Sequence, residues 1–426
     1  MKYSVITFGC RVNQADSLVI EDGLRARGAV AASAHEADVV VVNSCSVTAS
    51  ADQGTRQTIR RIVRDNPGAR VIVTGCYATR RPDEILTLPS VVRVVPNDRK
   101  ESLAAMVADE FGLTTAQRFG SGDGPCGGTL EPGVAGRTAL TLRVQTGCDE
   151  RCSYCIIPRT RGTGRSRSLG GVLHDIRLAV SAGYKEIVIT GVHLGSYGRD
   201  LHDGTTLESL VAALAAWPDA VLFRISSLEP MDCSDTIVDL VASSPRLAPH
   251  FHLPLQHGSD AVLSAMERPY TSRFYRRLVE RIRTRMPHAA IGSDLIVGFP
   301  GESALHFGHC AELLASLPLT HVHVFPYSDR PGTAASAIPE KVHGVDVRAR
   351  GSALRDIGRQ LALRFQRSQI GTSRPSLTVD DGAHVVTDNY LKLPIDRPRT
   401  RNEWVHVMVC GDPGALAGEV NDARSL

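Results

Sequence analysis

The sequence predicts an α/β chain in three parts. A parallel α/β domain occupies 1–118, a barrel of about six βα units occupies 138–368, and a small β-barrel occupies 369–426, with a linker at 119–137. Three observations predict this. Continuous Val/Ile runs alternate with helix-length polar segments, the mark of parallel strands buried on both faces. The alternation restarts after a stretch rich in Gly and Pro, and its strands end in polar, glycine-rich loops. Beyond Gly371 the segments become short, with Gly and Asp turns between them, as in small β-barrels.

In the first part, 3–8 reads as a buried strand ending at Gly9-Cys10, and 16–27 as a helix with Leu18, Val19 and Leu24 on one side. The apolar run 38–43 ends at Ser44-Cys45, a helix follows to about Arg64, and 70–74 ends at Gly75-Cys76. Ligands bind open α/β sheets at the C-terminal ends of their strands. Neighbouring parallel strands bring Cys10, Cys45 and Cys76 to one such rim. A single buried cysteine is an ordinary small apolar residue; three at equivalent strand ends predict a metal site. Arg56, Arg60 and Arg64 line one helix face, either as a solvated surface or as an RNA-phosphate contact.

The linker contains Cys126, which is not expected to be a ligand. The central part opens with a strand over 139–145 that leads into Gly147-Cys148-Asp149-Glu150-Arg151-Cys152-Ser153-Tyr154-Cys155. Thiolates are natural ligands of iron–sulfur clusters and zinc. A structural zinc knot wants paired C-x2-C units and a fourth ligand, and none is evident nearby. Three thiolates leave one metal of a cubane cluster open to a substrate or cosubstrate. Arg159, Arg161, Arg165 and Arg167 follow without an intervening acid. Helices at 171–181 and 207–216 alternate with strands at 186–190, 221–225, before 252, at 291–297 and at 320–325. Gly191 permits close backbone approach, and Ser226 and Glu229 offer acceptors. A long polar helix is expected over 347–367. Short strands follow at 376–379, 384–386, 390–393 and 404–409, with Lys392, Arg397, Arg399 and Arg401 near aromatic residues.

Hydrophobic residues make up 42% and charged residues 22%, with a net charge of +3, so bulk charge does not by itself indicate nucleic acid. Ten cysteines are too sparse for a secreted disulfide scaffold. No signal segment or bilayer-length apolar run is evident, so a cytoplasmic monomer without membrane contact is expected.

The motif C-x3-C-x2-C with Tyr154 before the last cysteine resembles the cluster loop of radical S-adenosylmethionine (SAM) enzymes. Thr7-Phe8-Gly9-Cys10-Arg11-Val12-Asn13, Asn43-Ser44-Cys45-Ser46-Val47-Thr48 and Thr74-Gly75-Cys76-Tyr77-Ala78 resemble the N-terminal domain of the methylthiotransferases. Ser293–Glu302 and Phe325–Thr333 are similar to the same family, and Thr387–Leu393 resembles its C-terminal RNA-binding TRAM domain. Ser44 and Ser46 stand where the family often has threonine, and His257 where it usually has serine. The resemblance implies two 4Fe-4S clusters. Cys148, Cys152 and Cys155 would hold the one that chelates SAM, and Cys10, Cys45 and Cys76 the auxiliary one that supplies or binds sulfur. It implies SAM contacts at Tyr154, Gly191, Ser226, Glu229, Gln256 and Gly298, and a partial rather than closed barrel.

The loop Thr190–Gly198 resembles the subgroup acting on threonylcarbamoyladenosine in the tRNA anticodon loop. In that family one SAM gives a methyl group to sulfur and a second yields the radical that activates carbon 2 of adenine. An electron donor such as flavodoxin or ferredoxin is implied, and the sulfur donor is unknown. The alternatives are action on isopentenyladenosine, action on a ribosomal-protein aspartate, and a non-catalytic iron–sulfur RNA-binding protein. His193, Ser196 and Tyr197, expected at the barrel mouth with the arginines after the cluster loop, favour the carboxylate-bearing substrate.

Overall fold

The computed structural model describes residues 1–112, 132 and 138–421. Apart from Pro132, the predicted linker at 119–137, with Cys126, lies outside the described residues.

The first sheet is parallel, in the order β2-β1-β3-β4-β5. Its strands are β1 (Lys2–Thr7), β2 (Val30–Ala31), β3 (Val39–Ser44), β4 (Arg70–Gly75) and β5 (Val91–Val95). All six residues of β3 are buried, as its Val run requires. The helices are α1 (Arg11–Arg25), α2 (Ala49–Asp65), α3 (Cys76–Arg80), α4 (Pro82–Leu86) and α5 (Leu103–Glu110). α1 starts five residues before the predicted 16–27. Asn13 explains this: its Nδ2 donates to the carbonyls of Phe8 (2.8 Å) and Ser44 (3.0 Å), so the strand-end turn becomes the first helical turn.

The central part contains β6 (Leu140–Arg143), β7 (Gln145–Thr146), α6 (Ile157–Arg161), β8 (Arg165–Ser166), α7 (Leu169–Ser181), β9 (Glu186–Thr190), α8 (Leu207–Ala215), β10 (Leu222–Ile225), α9 (Asp235–Ser243), β11 (His250–His252), α10 (Asp260–Ala265), α11 (Ser272–Arg285), β12 (Ala290–Val297), α12 (Ala304–Ser316), β13 (His321–Pro326) and α13 (Gly344–Gln369). Two parallel sheets, β6-β9-β10 and β11-β12-β13, are joined by parallel bridges Phe223–Leu247 and Ser227–His252. The result is six parallel strands with an outer layer of helices, the partial barrel. Its core runs from Leu142 to Leu361 and includes Tyr197, Phe223 and Tyr275.

The last part is antiparallel, in the order β16-β15-β14-β17-β18: β14 (Ser373–Val379), β15 (His384–Thr387), β16 (Lys392–Pro394), β17 (Trp404–Asp412) and β18 (Ala415–Asn421). A bridge between Ile395 and Gly418 brings the two edges together, so the barrel is nearly closed. Alternate buried residues Val405, Val407 and Val409 fill it. Among the described residues no helix is long and apolar enough to cross a membrane.

Candidate active site

β1, β3 and β4 are in register at their ends, with Thr7 opposite Asn43, Asn43 opposite Thr74 and Ser44 opposite Gly75. The cysteines that follow them therefore meet at one rim. Gly9, at φ +87°, makes this close approach feasible, since a Cβ there would stand 2.6 Å from Cys45 Sγ. Cys45 and Cys76 are buried and Cys10 is exposed. The backbone N–H of Val47 faces Cys45 Sγ at 3.5 Å, and Asn97 Nδ2 lies 3.6 Å from Cys76 Sγ while donating to the carbonyl of Thr160 at 2.8 Å. Burial pushes the Cys45 thiol up to about 12, with Cys76 and Cys10 adding to it.

The second cysteine loop sits at the barrel. Gly147, at φ +76°, has no room for a Cβ, which would stand 1.8 Å from the carbonyl oxygen of Thr163. Ser153 pins the loop to the end of α10, its Oγ donating to the carbonyl of Ala265 (2.7 Å) and its N–H to that of Met266 (3.2 Å). Tyr154 packs on Val262, Met266, Phe299 and Ala335. Arg268 donates to Cys152 Sγ at 3.0 Å and pairs with Glu229. Burial raises the Cys152 thiol while Arg268 opposes the rise, and burial with Cys152 and Cys148 nearby pushes Cys155 up to about 12. Among the described residues no three His, Cys, Asp or Glu side chains converge on one ion-sized point. A cubane cluster binds each thiolate on a separate iron, so neither cysteine trio needs such a convergence.

The two cysteine groups are locked together by Asp16. Its carboxylate accepts from Lys100 Nζ (2.9 Å) and from Arg161 Nη2 (3.0 Å), and pairs with Arg143 Nε at 3.1 Å. Burial alone would raise this carboxyl, but Lys100, Arg161 and Arg143 outweigh it and hold it at about 2. Arg161 also donates to Asn13 Oδ1 at 2.5 Å. It is 5% exposed and so serves the joint rather than a substrate phosphate. Arg167 pairs with Asp175 at 2.6 Å. Arg56 is engaged by Tyr77 and Glu84, and Lys392 and Arg401 by Asp380 and Thr138.

A cavity of about 810 Å3 opens beside these groups. The N-terminal domain gives it Cys10, Arg11, Val12 and Val47; the barrel gives Gly191, Ser226 and four histidines; the C-terminal barrel gives Asn389, Tyr390 and Leu391. Of the predicted SAM contacts, Gly191 and Ser226 line it. Glu229 lies beside Cys152 through Arg268, and Tyr154 packs on Phe299. Gln256 sits in a left-handed backbone position at φ 65°. Gly298, at φ 76°, faces α13, where a Cβ would stand 2.5 Å from Val347 Cγ2.

One expectation is corrected here. His193, Ser196 and Tyr197 do not present polar groups at the barrel mouth: they are 3%, 7% and 1% exposed. A turn at Leu194–Ser196 folds them inward. His193 bonds Asp232 at 2.8 Å and also Cys148; burial would lower it, but these partners push it up to about 10. Gly195 lets Asp232 in, since a Cβ would stand 2.1 Å from its Oδ2. His257 is fully buried, accepting at Nδ1 from the N–H of Ser259. Missed by sequence reasoning were Arg268, Asp232, Gln145, which ties β7 to the loop after β9, and the cavity histidines. Two His-x-His pairs, 250/252 and 321/323, were the available signal for the last.

The profile of the Uncharacterized protein family UPF0004 matches residues 2–96, and that of the Radical SAM superfamily matches 142–314. A threonylcarbamoyladenosine tRNA methylthiotransferase of Aquifex aeolicus is 33% identical over 96% of this chain and all of its own. The chain belongs to the radical SAM methylthiotransferases. Another relative, a tRNA-2-methylthio-N(6)-dimethylallyladenosine synthase of Oleidesulfovibrio alaskensis, is 32% identical over 87% of this chain and 81% of its own. The radical SAM methyltransferase TsrM of Kitasatospora setae shares the fold, with a TM-score of 0.56 at 17% identity over 79% of this chain and 74% of its own. As a radical SAM methylthiotransferase the chain is a transferase that uses SAM and 4Fe-4S clusters. The two matched regions hold all six site cysteines.

Proposed function

We propose that this methylthiotransferase acts on threonylcarbamoyladenosine in tRNA, placing a methylthio group at carbon 2 of the adenine beside the anticodon. The observation that carries the reading is the shared cavity. Cys10 of the strand-end rim, Gly191 and Ser226 of the barrel and Tyr390 of the C-terminal barrel all line the same space. An adenine unstacked from a loop can enter such a space, and an anticodon loop offers its bases at low cost.

The residues fit the clusters. Cys148, Cys152 and Cys155 supply three free thiols on a pinned loop with no fourth cysteine in it, which leaves one iron open for SAM. Cys10, Cys45 and Cys76 supply three more at the rim. SAM and the clusters, when bound, supply the radical and sulfur chemistry that protein groups do not. The chain's own groups hold and orient. Arg268 fixes Cys152 and Glu229, and Gln145 fixes the Gly191 loop. Asp16 with Arg161 and Arg143 ties the domain of one cysteine group to that of the other. Gly191, Ser226, Glu229, Gln256, Gly298 and Tyr154 are the SAM contacts of this reading. The modules run over 1–118, 138–368 and 369–426, the last gripping RNA. The reading also takes a flavodoxin- or ferredoxin-like electron donor and a cytoplasmic monomer.

Four histidines and Arg11 on the cavity wall offer a carboxylate-bearing substituent partners that an isopentenyl group cannot use, which favours the first reading over the second. Nucleoside mass spectrometry of tRNA from a deletion strain is the test. Loss of the methylthio form of threonylcarbamoyladenosine, with methylthio-isopentenyladenosine intact, is expected; the reverse refutes the assignment.

A further inference from the structure

β11, β12 and β13 lie side by side, with His252 opposite Gly292, Gly292 opposite His321 and Asp294 opposite His323. Residues two apart along a strand share a face. His250, His252, Asp294, His321 and His323 therefore line one wall of the cavity. The rings form a connected set, with centroid distances of 6.2 Å for His250–His321, 6.1 Å for His252–His321 and 5.8 Å for His321–His323. Gly292 makes room for them: a Cβ there would stand 2.0 Å from His321 Nε2. Burial, with neighbouring cations and imidazoles, pulls His250 well below its ordinary range and His321 to about 4, so both are neutral near pH 7. His250 is 4% exposed, and its Nδ1 has no hydrogen-bond partner. His252 pairs with Asp294 at 3.2 Å.

Two groups from the other modules complete the wall. Arg11 Nη2 donates to the Tyr390 hydroxyl at 2.5 Å, and the Tyr390 ring lies 4.7 Å from that of His250. Among the described residues Arg11 pairs with no carboxylate, while the neighbouring cation Arg161 is already committed to Asp16.

We infer that His250, His252 and His321, with Arg11 and Tyr390, form the subsite for the substituent on the adenine amine, and that it selects a substituent bearing a carboxylate and polar hydrogen-bonding groups. The inference rests on the proposed substrate. Arg11 supplies the charge-assisted donor for the carboxylate. Neutral imidazoles each carry one donor and one acceptor, which suits the hydroxyl and urea groups of threonylcarbamoyl. A hydrocarbon substituent would instead leave the buried Nδ1 of His250 without a partner and would offer Arg11 no carboxylate. Such stranding is what makes polar sites reject apolar analogues.

The test uses the full chain with both clusters reconstituted anaerobically, and three anticodon stem-loops of one sequence. Their target adenosine is threonylcarbamoylated, isopentenylated or unmodified. Affinity is read by fluorescence anisotropy, and kcat and KM by product mass spectrometry. Arg11→Gln and His321→Phe are each expected to weaken the threonylcarbamoyl RNA on the order of tenfold to a hundredfold, mostly in KM, and to leave the unmodified RNA unchanged. His250→Phe, which keeps the ring packing on Tyr390, is expected to do the same. Equal loss on all three RNAs, or none, overturns the subsite and leaves the substrate reading standing. No preference of the unaltered chain for the threonylcarbamoyl RNA overturns both.

Discussion

Replacing Asp16 with Asn removes a buried charge that joins the N-terminal domain to the barrel near their cysteine groups. The Asp16 side chain is 2% exposed, and three cations surround it within 3.1 Å. Lys100 comes from its own domain, whereas Arg143 and Arg161 belong to the barrel. Breaking a buried pair by removing one partner costs about 3–5 kcal/mol, because the remaining charge is left uncompensated. The pKa gives an independent figure: a carboxyl moved from 3.8 to about 2 stabilises the folded state by about 2 kcal/mol. Asn keeps the size and one acceptor, so a loss of about 2–5 kcal/mol is expected. Glu101→Gln is the control. Glu101 meets the same Arg143 at 3.1 Å but is 83% exposed, so its removal costs about 0–1 kcal/mol.

Calorimetry and limited proteolysis of the three proteins at pH 7 measure the difference as apparent Tm and cleavage rate, since a three-module chain does not unfold in two states. The sign with pH follows from the depressed carboxyl. Its contribution is fully present above pH 3.8 and is lost as the pH falls towards about 2. The unaltered chain therefore loses stability across that window, and D16N lacks this component. If D16N perturbs the chain no more than E101Q, the Asp16 joint does not hold the modules together.

Two further outcomes are expected. Cys152→Ala should abolish reductive SAM cleavage, read as 5′-deoxyadenosine under anaerobic conditions, whereas Cys45→Ala should retain cleavage and lose methylthiolation; methylthiolation by C45A would remove the strand-end rim from the chemistry. Gly292→Ala should displace His321 and raise KM for the threonylcarbamoyl RNA on the order of tenfold, with iron content unchanged; an unchanged KM would separate His321 from substrate.

What was legible in the sequence divides along a physical line. The N-terminal sheet could be read because strands buried on both faces carry near-continuous apolar runs, as residues 39–42 of β3 and 71–73 of β4 do. The cysteines could be read because thiolate spacing and strand-end position are both linear features. The joint could not. Arg161 looks like one of a basic run after the cluster loop, and only contact with Asp16, 145 residues earlier, explains its burial. β5 was missed because its Val-Val-Arg-Val-Val is short and half exposed. The histidine wall was hidden in the same way. His252 and His321 come together through strand pairing across Gly292, a register that no local pattern encodes. His193 misled in the opposite sense, since a polar residue in a strand-end loop looks available until Asp232 is seen to hold it.

The placement of Tyr390 brings all three modules together at the cavity. Its ring lies between two guanidinium groups, 5.6 Å from Arg11 of the N-terminal domain and 4.8 Å from Arg224 of the barrel. Arg224 is fully buried, pairs with Glu186 at 2.8 Å and donates to the carbonyl of Asp388 at 2.9 Å. A buried guanidinium keeps its charge only with such a partner set, so the loop before Tyr390 is part of what makes Arg224 tolerable in the barrel wall. Asn389 adds bonds to the carbonyl of His288 and to Gln369. The C-terminal barrel is therefore fixed to the catalytic barrel by the same four-residue loop, 388–391, that borders the cavity. On the proposed function, an RNA gripped by that module would deliver its base to a space that Cys10 also lines, so one loop would couple the grip on the substrate to the strand-end rim.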